Sequence, residues 1–399
     1  MMAQTVNFDA PILIIGAGIA GLTLAQGLCL HSIPFRVFER SPESQRAQGH
    51  RFRISNDGQK ALASVLSPKL QNLLHKTAAE GHRFEPRYVD ALSLDFAKPV
   101  VVDPGTTPAM PVDRTWIRML MMLEIEDAIE YEKEFSSYEV VDGRVRVHFM
   151  DGSVTQGGLL VGADGVKSRV RKQLQPHRKL LDLERCVMWG RTPLIESLKE
   201  HLPPDVLTWC MYMDHDANVQ MVGEPMIWTK SVRAESHDKL PDFPDYFYWV
   251  ICTASQDAGL LPKTAEQKSK FLEQVTQTWH PALKRILNAS SNVSTACIPV
   301  LSSKPDIETG VMNQTERVVL IGDAAHAMSP MGGSGGDTAI RTAADLVQTI
   351  AEGGISAEGI KDFEVRMAQT AKERIEHSFN GGKRFWRGKD WSDYKQSDA

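Results

Sequence analysis

Three glycines near the start of the chain have the spacing of a phosphate-binding turn. Gly16, Gly18 and Gly21 follow a short apolar run and open a stretch typical of a helix. Glycine at these positions permits a tight turn, lets the backbone approach a pyrophosphate and allows close packing of helix and strand. The N–H groups at the start of the helix then face the phosphates. The pattern therefore predicts a dinucleotide-binding site.

An acidic residue follows this turn at the distance expected of a ribose ligand. Glu39 lies eighteen residues beyond Gly21, at the end of the next apolar run. A carboxylate in that place accepts hydrogen bonds from both hydroxyls of a ribose and repels a 2′-phosphate. The spacing therefore favours FAD or NAD over NADP in this pocket, and it leaves the choice between FAD and NAD open.

Two later turns combine glycine with aspartate. Asp164 lies in the turn that ends one apolar run, and Asp323 lies in the turn that ends another. A glycine-rich run, Gly332 to Gly336, then precedes a long predicted helix. Ser334 in this run also matches the GxSxG nucleophile elbow, but that elbow needs its serine directly after a strand, and about a dozen residues intervene here. A hydrolase is therefore not indicated.

The elements around these motifs alternate between strands and helices. Apolar runs predict buried strands at 11–15, 35–38, 159–164 and 317–321. Periodic apolar positions predict helices at 22–30, 59–80, 114–131 and after 336. Residues 182–300 differ, because they are rich in aromatic residues and contain alternating runs that predict a sheet with one packed face. A first unit is therefore interrupted by a second one.

Composition excludes several classes of protein. The 399 residues carry 45 Lys+Arg against 50 Asp+Glu, a net charge of −5, and 42% are hydrophobic. These values are ordinary for a globular protein, and the mild acidity argues against a dedicated nucleic-acid binder. The five cysteines lie far apart without a CxxC pair, no metal-binding HExxH motif occurs, and no apolar run is long enough for a membrane span. We expect a cytoplasmic protein without an integral membrane segment.

Together, the three motifs resemble the fingerprints of the class A flavoprotein monooxygenases, the para-hydroxybenzoate hydroxylase and salicylate hydroxylase-like family. They occur in the family's order and spacing across almost the whole chain. The resemblance implies an α/β fold in which a Rossmann-like FAD-binding domain is interleaved with a mixed-sheet substrate-binding domain. The expected FAD-binding domain comprises 8–81, 106–181 and 301–380, the substrate-binding domain comprises 82–105 and 182–300, and 381–399 form a C-terminal tail. Because the last dozen residues are polar, we expect them to be mobile.

The resemblance also implies roles for individual residues. Asp323 corresponds to the carboxylate that binds the ribityl chain of FAD. The backbone around Gly333 to Gly336 corresponds to the helix start that faces the pyrimidine edge of the flavin, where a helix N-terminus stabilises the negative charge of reduced flavin. Asp164 and Gly165 correspond to the fingerprint that contacts the pyrophosphate region and is implicated in nicotinamide binding.

Several arginines are expected near FAD. Arg114 corresponds to the family arginine that reaches the cofactor, with Arg118 as a close competitor. Arg51 and Arg53 both lie in the loop that usually flanks the flavin, and either one is a candidate contact of FAD. The full set of candidate cofactor-binding residues is Gly16, Gly18, Ala20, Gly21, Glu39, Arg40, Gly49, Arg53, Arg114, Arg118, Asp164, Asp323, Gly333, Gly335 and Gly336.

The sequence departs from the family at the third fingerprint. Asp337 stands near the usual asparagine, and Thr342 stands where an aspartate is often found. An acidic side chain at 337 opposes an anionic flavin unless it points away. Candidate substrate contacts are the aromatic and basic residues Trp189, Arg191, Trp209 and Tyr212. No residue identifies itself as a catalytic base.

The resemblance implies that NADPH or NADH reduces FAD, that O2 then forms a C4a-hydroperoxyflavin, and that one oxygen atom passes to an aromatic or polyketide-like substrate of secondary metabolism. No second GxGxxG occurs, which disfavours Baeyer–Villiger enzymes with two dinucleotide domains. The Trp-x-Trp-x-Ile-Pro signature of a flavin halogenase is absent as well. A flavin-dependent epoxidase or dehydrogenase on the same fold and a non-catalytic FAD-binding protein remain alternatives.

Overall fold

The computed structural model describes residues 9–44, 51–80, 87–98, 109–255, 261–290, 295–307 and 317–398. The strands in these ranges are β1 (Ile12–Ile15), β2 (Phe35–Phe38), β3 (Arg51–Ile54), β4 (Arg87–Asp90), β5 (Met110–Asp113), β6 (Ile129–Glu130), β7 (Phe135–Val141), β8 (Arg144–Phe149), β9 (Val154–Gly157), β10 (Leu159–Gly162), β11 (Leu180–Pro193), β12 (Cys210–Asp214), β13 (Val219–Met226), β14 (Tyr246–Ala254), β15 (Ala296–Ser302), β16 (Val318–Leu320) and β17 (Lys395–Ser397). The helices are α1 (Ile19–Leu30), α2 (Asn56–Val65), α3 (Pro68–Thr77), α4 (Arg114–Met122), α5 (Arg169–Leu174), α6 (Glu196–Lys199), α7 (Val232–Glu235), α8 (Ala265–Val275), α9 (Pro281–Asn288), α10 (Asp323–His326), α11 (Gly335–Gly353) and α12 (Ala357–Trp386).

A parallel sheet of five strands carries the predicted glycine turns. Its order is β16-β10-β1-β2-β6, and every neighbouring pair runs parallel. The central strands β1 and β10 are buried at every position, as expected for short apolar strands covered on both faces. Because the strands are parallel, the turns that follow β1, β10 and β16 lie at the same edge of the sheet.

A second sheet contains the aromatic segment. Its order is β15-β11-β14-β13-β12-β4, and β17 pairs with β11. Side chains alternate between its faces. Met188 and Trp249 belong to the same apolar cluster as Leu283 of α9. Trp189 packs on the opposite face against the cluster of α12, against which Met328, near the glycine-rich run, also packs. The second face is therefore the one turned toward the predicted cofactor site.

Two predicted helices are shorter in the structure. The helix expected over 59–80 is two helices, α2 and α3, because Ser67 caps a new helix that has Pro68 at its first position. The helix expected over 114–131 ends at Met122, and the following chain becomes β6 at the edge of the parallel sheet.

The expected mobile tail is also wrong for the described residues after 380. Helix α12 continues to Trp386, and β17 pairs with the start of β11. Trp386 and Tyr394 are buried in one apolar cluster with Ile375 and Phe379 of α12. These two aromatic residues anchor a segment that is otherwise polar, which is why its composition suggested a tail.

The predicted fold class is confirmed: a parallel α/β sheet and a mixed sheet form the two-domain fold. The strands of the parallel sheet lie in the segments predicted for FAD binding, while the exact domain boundaries stay a prediction. In the described part of the chain, no helix combines the length and apolar character needed to cross a membrane.

Candidate active site

The glycine turn has the geometry that its spacing predicts. Gly16 has φ +107°, and a Cβ there would lie 2.5 Å from the Ala163 carbonyl oxygen. A Cβ at Gly21 would collide with the Gly16 carbonyl oxygen, so α1 packs directly on the turn. At Gly18, in contrast, no atom lies within 4 Å of the position of a Cβ. The backbone at Gly18 is thus open to a ligand, while its two neighbours are fixed by packing.

Glu39 closes the same turn from the end of β2. Its Oε2 accepts a hydrogen bond from the Ala17 N–H at 3.0 Å, and its Oε1 accepts one from the Ser41 N–H at 3.0 Å. Each carboxylate oxygen retains a further lone pair for a ribose hydroxyl. The turn borders a pocket of about 300 Å³ lined by Ile15, Gly16, Ala17, Gly18, Ile19, Phe38, Glu39, Arg40, Ser41, Arg114, Arg118, Lys133, Glu134, Phe135, Ala163, Asp164, Gly165, Lys167 and Arg169.

Arg114 and Arg118, the two arginines predicted to reach FAD, both lie at this pocket. Both side chains line the pocket, and the Arg118 Nε donates to the Ala17 carbonyl oxygen at 2.8 Å. Arg118 therefore supports the glycine turn, while burial raises the pKa of Asp323 and Arg114 lies close enough to that carboxyl to oppose the rise. Arg114 thus connects the pocket with the second predicted cofactor contact.

Asp164 shapes its own turn. Its Oδ1 accepts from the Ser168 hydroxyl at 2.5 Å, and its Oδ2 accepts from the Arg169 N–H at 2.7 Å, at the start of α5. Gly165 next to it has φ +80°, which favours glycine. Asp164 lines the pocket, but its carboxylate holds the polar turn in shape.

Asp323 is the first residue of α10, immediately after Gly322 with φ +60°. Its side chain is solvent-exposed although protein surrounds it, so it faces a recess. The surrounding protein raises the pKa of Asp323, and Arg114 and Arg171 act in the opposite direction. A Cβ at Gly322 would lie 2.7 Å from Ala20 Cβ, so Ala20 contributes through packing under this turn.

Two arginines that the sequence did not identify hold the Asp323 turn. The Arg171 Nη1 donates to the Ala324 carbonyl oxygen at 3.2 Å, and the Arg178 Nη2 donates to the Ala325 carbonyl oxygen. Burial lowers the pKa of Arg178 to about 10, so it stays charged at neutral pH. No motif marks these residues, because they are separated by about 150 positions from the carbonyls they bind.

The glycine-rich run ends at the N-terminus of α11. Gly333 has φ +60°, and Gly335 has only Met328 Cγ near its Cβ position, at 3.8 Å. Gly336 lies against the Phe52 ring of β3. The open backbone at Gly333 and Gly335 leaves space beside the helix start, where a negative charge is stabilised by the helix dipole.

Asp337 does not stand free at this helix start. Its Oδ1 accepts a hydrogen bond from the Ser55 N–H at 2.7 Å, and the side chain is buried. The carboxylate thus joins α11 to the connection between β3 and α2. An aspartate at this position is accommodated because the backbone of that connection takes up its charge.

The predicted substrate residues separate into two groups. Trp189 and Arg191 share the face turned toward the glycine-rich run, where Arg191 pairs with Asp113 at 3.0 Å. Tyr212 lies on the opposite face, fully buried against the core around α8 and α9, and its hydroxyl donates to Val206. Its prediction as a substrate contact is wrong, since period-two alternation does not reveal which face meets the other domain. Trp209 precedes β12, three strands from β11.

Gly49, one of the candidate cofactor residues, lies outside the described residues. Arg53 lies in β3 and pairs with Glu224 of the second sheet. Arg40 borders the pocket with an exposed side chain. Among the described residues, no cluster of three or more His, Cys, Asp or Glu side chains could hold a metal ion.

The residues around the two recesses fit FAD. The open backbone at Gly18 offers space for a pyrophosphate, Glu39 offers acceptors for a ribose, and Asp323 offers an exposed carboxylate at the second recess. Comparison with known proteins agrees. A family model described as "FAD binding domain" matches residues 123–357, and the chain belongs to that family. The predicted resemblance to class A flavoprotein monooxygenases is thereby confirmed.

Individual relatives support the same class. The chain is 31% identical over 382 residues to the dual O-methyltransferase/FAD-dependent monooxygenase elcB of Phaeosphaeria nodorum, covering 87% of this chain and 41% of that protein. It is 29% identical over 348 residues to the FAD-dependent monooxygenase thnD of Trichoderma harzianum, covering 82% and 79%. The chain spans less than half the length of the dual-function relatives that it matches.

A solved structure shows the same fold over the whole length. A crystal structure from Photorhabdus luminescens subsp. laumondii, assigned as an FAD-containing monooxygenase, has a TM-score of 0.81 and 25% sequence identity. The match covers 95% of this chain and 99% of that one. Both domains of the fold therefore have counterparts in a single solved chain.

Glu39→Ala is expected to weaken FAD binding. The variant loses the ribose acceptor and frees two turn N–H groups, and each charge-assisted hydrogen bond contributes about 1.5–3 kcal/mol before solvent compensates. Titration of the apoprotein with FAD should show a dissociation constant raised about tenfold or more. An unchanged constant would mean that Glu39 does not bind the ribose.

His326 should make stability depend on pH. It is fully buried beside Thr342, and burial lowers its pKa from 6.5 to about 4. The unfolded chain then binds the extra proton between these values, so stability is complete above pH 6.5 and falls as the pH drops toward 4. The loss from this one group between about pH 7.5 and about pH 5 is ~2 kcal/mol.

The test is urea unfolding of wild type and His326→Gln at both pH values. The variant should lose less stability on acidification than wild type by this amount. Equal losses would show that His326 is accessible to protons in the folded state.

Proposed function

We propose that this protein is an FAD-dependent, NAD(P)H-consuming monooxygenase that inserts one oxygen atom from O2 into an aromatic or polyketide-like substrate of secondary metabolism. One observation carries the proposal. Trp189 of the second sheet packs against two apolar clusters: the cluster of α12, against which Met328 and Met331 beside the glycine-rich run also pack, and the cluster of Tyr246 and Tyr248. The aromatic face of the second sheet therefore lies next to the predicted flavin site.

The chain supplies binding, orientation and exclusion of water. Gly18, Glu39 and Asp323 would bind the cofactor, and the N-terminus of α11 would face its ring. FAD when bound supplies electron transfer from NAD(P)H and the activation of O2. The protein's part is to hold the substrate beside the ring in a dry enclosure, where water does not compete for the activated oxygen.

Aromatic rings form part of the sheet face that is turned toward the predicted flavin site. Met226, Tyr246 and Tyr248 form a buried cluster, with Trp189 and Trp228 packed against it. Burial raises the pKa of Tyr248 to about 12 and raises that of Tyr246. Both phenols are therefore neutral at physiological pH and act as apolar walls or hydrogen-bond donors rather than as bases. Such walls suit a planar organic substrate.

The names of the relatives support a monooxygenase activity for this chain. elcB and thnD are named as FAD-dependent monooxygenases, and thnD matches this chain over most of its own length. The use of NADH or NADPH as electron donor and the class of substrate are what we propose here for this chain. We propose that Trp189 lies next to the bound substrate and that Arg191, which pairs with Asp113, acts on the substrate site through that carboxylate.

Trp189→Phe should raise the KM for the substrate. The buried indole N–H of Trp189 has no hydrogen-bond acceptor among the described residues, and we propose that an oxygen of the bound substrate supplies one. Loss of one such hydrogen bond corresponds to about 0.5–1.5 kcal/mol, or roughly a three- to tenfold increase in KM. Trp228→Phe is the matched control, because its indole N–H already donates to the Thr77 carbonyl oxygen. Equal KM values for both variants would contradict the assignment.

The proposed function is tested with purified protein in two steps. Acid precipitation should release non-covalent FAD into the supernatant. Anaerobic rapid mixing with NADPH or NADH should then reduce the flavin, and candidate phenols or polyketides should accelerate that reduction. If the protein takes up no FAD, the proposed function is wrong. Equal rates of flavin reduction with and without the true substrate would favour the epoxidase or dehydrogenase alternative.

A further inference from the structure

Three residues form a row across the second sheet. In the strand pairing, Arg191 of β11 lies opposite Tyr248 of β14, and Tyr248 in turn lies opposite Glu224 of β13. Adjacent positions on neighbouring strands project from the same face of a sheet. A basic, an aromatic and an acidic side chain therefore stand side by side on the face turned toward the predicted flavin site.

The opposing surface carries the complementary charges. Strands β3 and β5 pair as a two-stranded antiparallel ribbon in which Arg51 lies directly opposite Asp113. Arg191 pairs with Asp113 at 3.0 Å, and Glu224 pairs with Arg51. Each charged residue of the row on the sheet thus pairs with a residue of opposite charge on the ribbon.

Two tyrosine rings of the second sheet pack against the arginines of these ion pairs. The Arg51 guanidinium lies 5.8 Å from the centre of the Tyr248 ring, and Arg191 lies 4.7 Å from that of Tyr246. The Tyr246 hydroxyl donates to Asp113 Oδ2 at 2.6 Å. Arg53, two residues beyond Arg51, also pairs with Glu224.

These charges are almost completely removed from solvent. The side chains of Asp113, Glu224, Arg51 and Arg53 are 0%, 1%, 9% and 11% exposed, while that of Arg191 is 26% exposed. A buried charge is costly without its partner, so a displacement that separates the pairs is strongly disfavoured. Burial lowers the pKa of Arg51 to about 10, which leaves it charged at neutral pH. The contact therefore specifies one register between sheet and ribbon.

The ribbon reaches the cofactor site at two points. Phe52, between the two arginines of β3, packs on Gly336 in the first turn of α11. Asp113 caps α4 by accepting from the N–H groups of Thr115 and Trp116 at 2.8 and 2.9 Å, and the first residue of that helix is Arg114 of the FAD pocket. A shift of the ribbon would move both contacts.

We propose that Arg191 and Glu224 are positioning residues that fix the register of the second sheet on the β3–β5 ribbon and thereby set the place of Phe52 and Arg114 around FAD. This inference rests on the proposed function only through its FAD site. Neither residue needs to touch the cofactor. Their effect on FAD passes through the ribbon.

The test measures FAD affinity, which does not require the substrate. Apoproteins of Glu224→Gln and Arg191→Met are titrated with FAD, and the visible circular dichroism of bound FAD is recorded. The control is Asp214→Asn, because Asp214 is a buried carboxylate of the same sheet that accepts from Trp279 Nε1 at 3.1 Å on the opposite face. Glu224→Asp and Arg191→Lys preserve the charges.

The expected result is an FAD dissociation constant raised about tenfold in both charge-removing variants, with an altered dichroism spectrum. Glu224→Asp and Arg191→Lys should recover part of this loss, and Asp214→Asn should lower the melting temperature while keeping wild-type FAD affinity. Wild-type affinity in both charge-removing variants, or a tenfold loss in Asp214→Asn as well, overturns the inference. If Glu224→Gln does not fold, the FAD dissociation constants of Arg191→Met and Glu224→Asp decide whether the inference holds. Failure of the wild type to bind FAD would instead contradict the proposed function.

Discussion

Gly18→Val should fold with the stability of the wild type and lose FAD binding by at least ~100-fold, because two or more charge-assisted hydrogen bonds from the turn to the pyrophosphate are blocked. Apart from the adjacent residues of the chain, no protein atom lies within 4 Å of the Cβ position at Gly18, so the folded protein has room for a side chain there. It occupies instead the space through which the backbone approaches the phosphates. Thermal unfolding of the apoprotein and FAD titration separate the two effects.

Gly353→Val is the matched control for this change. Gly353 likewise has no atom within 4 Å of its Cβ position, and it lies at the far end of α11 with an exposed backbone. We expect wild-type FAD affinity in this control. If Gly18→Val also retains wild-type affinity, the pyrophosphate does not lie against Gly18 and the turn is not the FAD site.

Asp323→Ala is expected to have the second largest effect, at the flavin end of the site. Its exposed carboxylate faces the recess beside Arg114, so its removal leaves the cofactor without an acceptor near the reacting ring. Small displacements at a reacting centre cost about 100-fold in rate. We therefore expect both reduced FAD occupancy and loss of coupling between NAD(P)H oxidation and product formation.

Asp323→Asn supplies the comparison for this variant. The amide keeps one acceptor oxygen and the shape of the side chain, so it should retain more FAD than alanine does. Full occupancy and full coupling in Asp323→Ala would show that the carboxylate does not bind FAD. Full recovery by asparagine would show that the hydrogen bond matters and the charge does not.

Local sequence was sufficient for the parts of the site whose residues are neighbours along the chain. Gly16, Gly18 and Gly21 lie within one turn, and the distance to Glu39 is set by one helix and one short strand. The geometry of the glycine turn and the position of Glu39 beside it could therefore be predicted from spacing. The parallel sheet followed as well, because its strands are continuous apolar runs.

Contacts between distant segments could not be predicted in this way. Arg171 and Arg178 bind the carbonyls of the Asp323 turn only after folding brings α5 and its flanking chain beside α10. The pairing of Arg51 with Asp113 requires an antiparallel ribbon between segments about sixty residues apart. Neither arrangement leaves a local pattern.

Two errors have specific physical causes. Tyr212 was expected at the substrate because aromatic residues line such sites, but alternation does not show which face of a sheet is covered by helices. The C-terminal segment was expected to be mobile because it is polar, yet Trp386 and Tyr394 anchor it in an apolar cluster. In both cases packing against another element decided the outcome.

The transfer of oxygen is the central claim, and isotope labelling tests it most directly. FAD-loaded protein is supplied with NADPH or NADH and a panel of phenols and polyketides under an atmosphere of oxygen-18, and the products are analysed by mass spectrometry. We predict a product that carries one oxygen-18 atom and is formed with the oxidation of one NAD(P)H. A product that forms without oxygen-18, such as one from dehydrogenation, would contradict it.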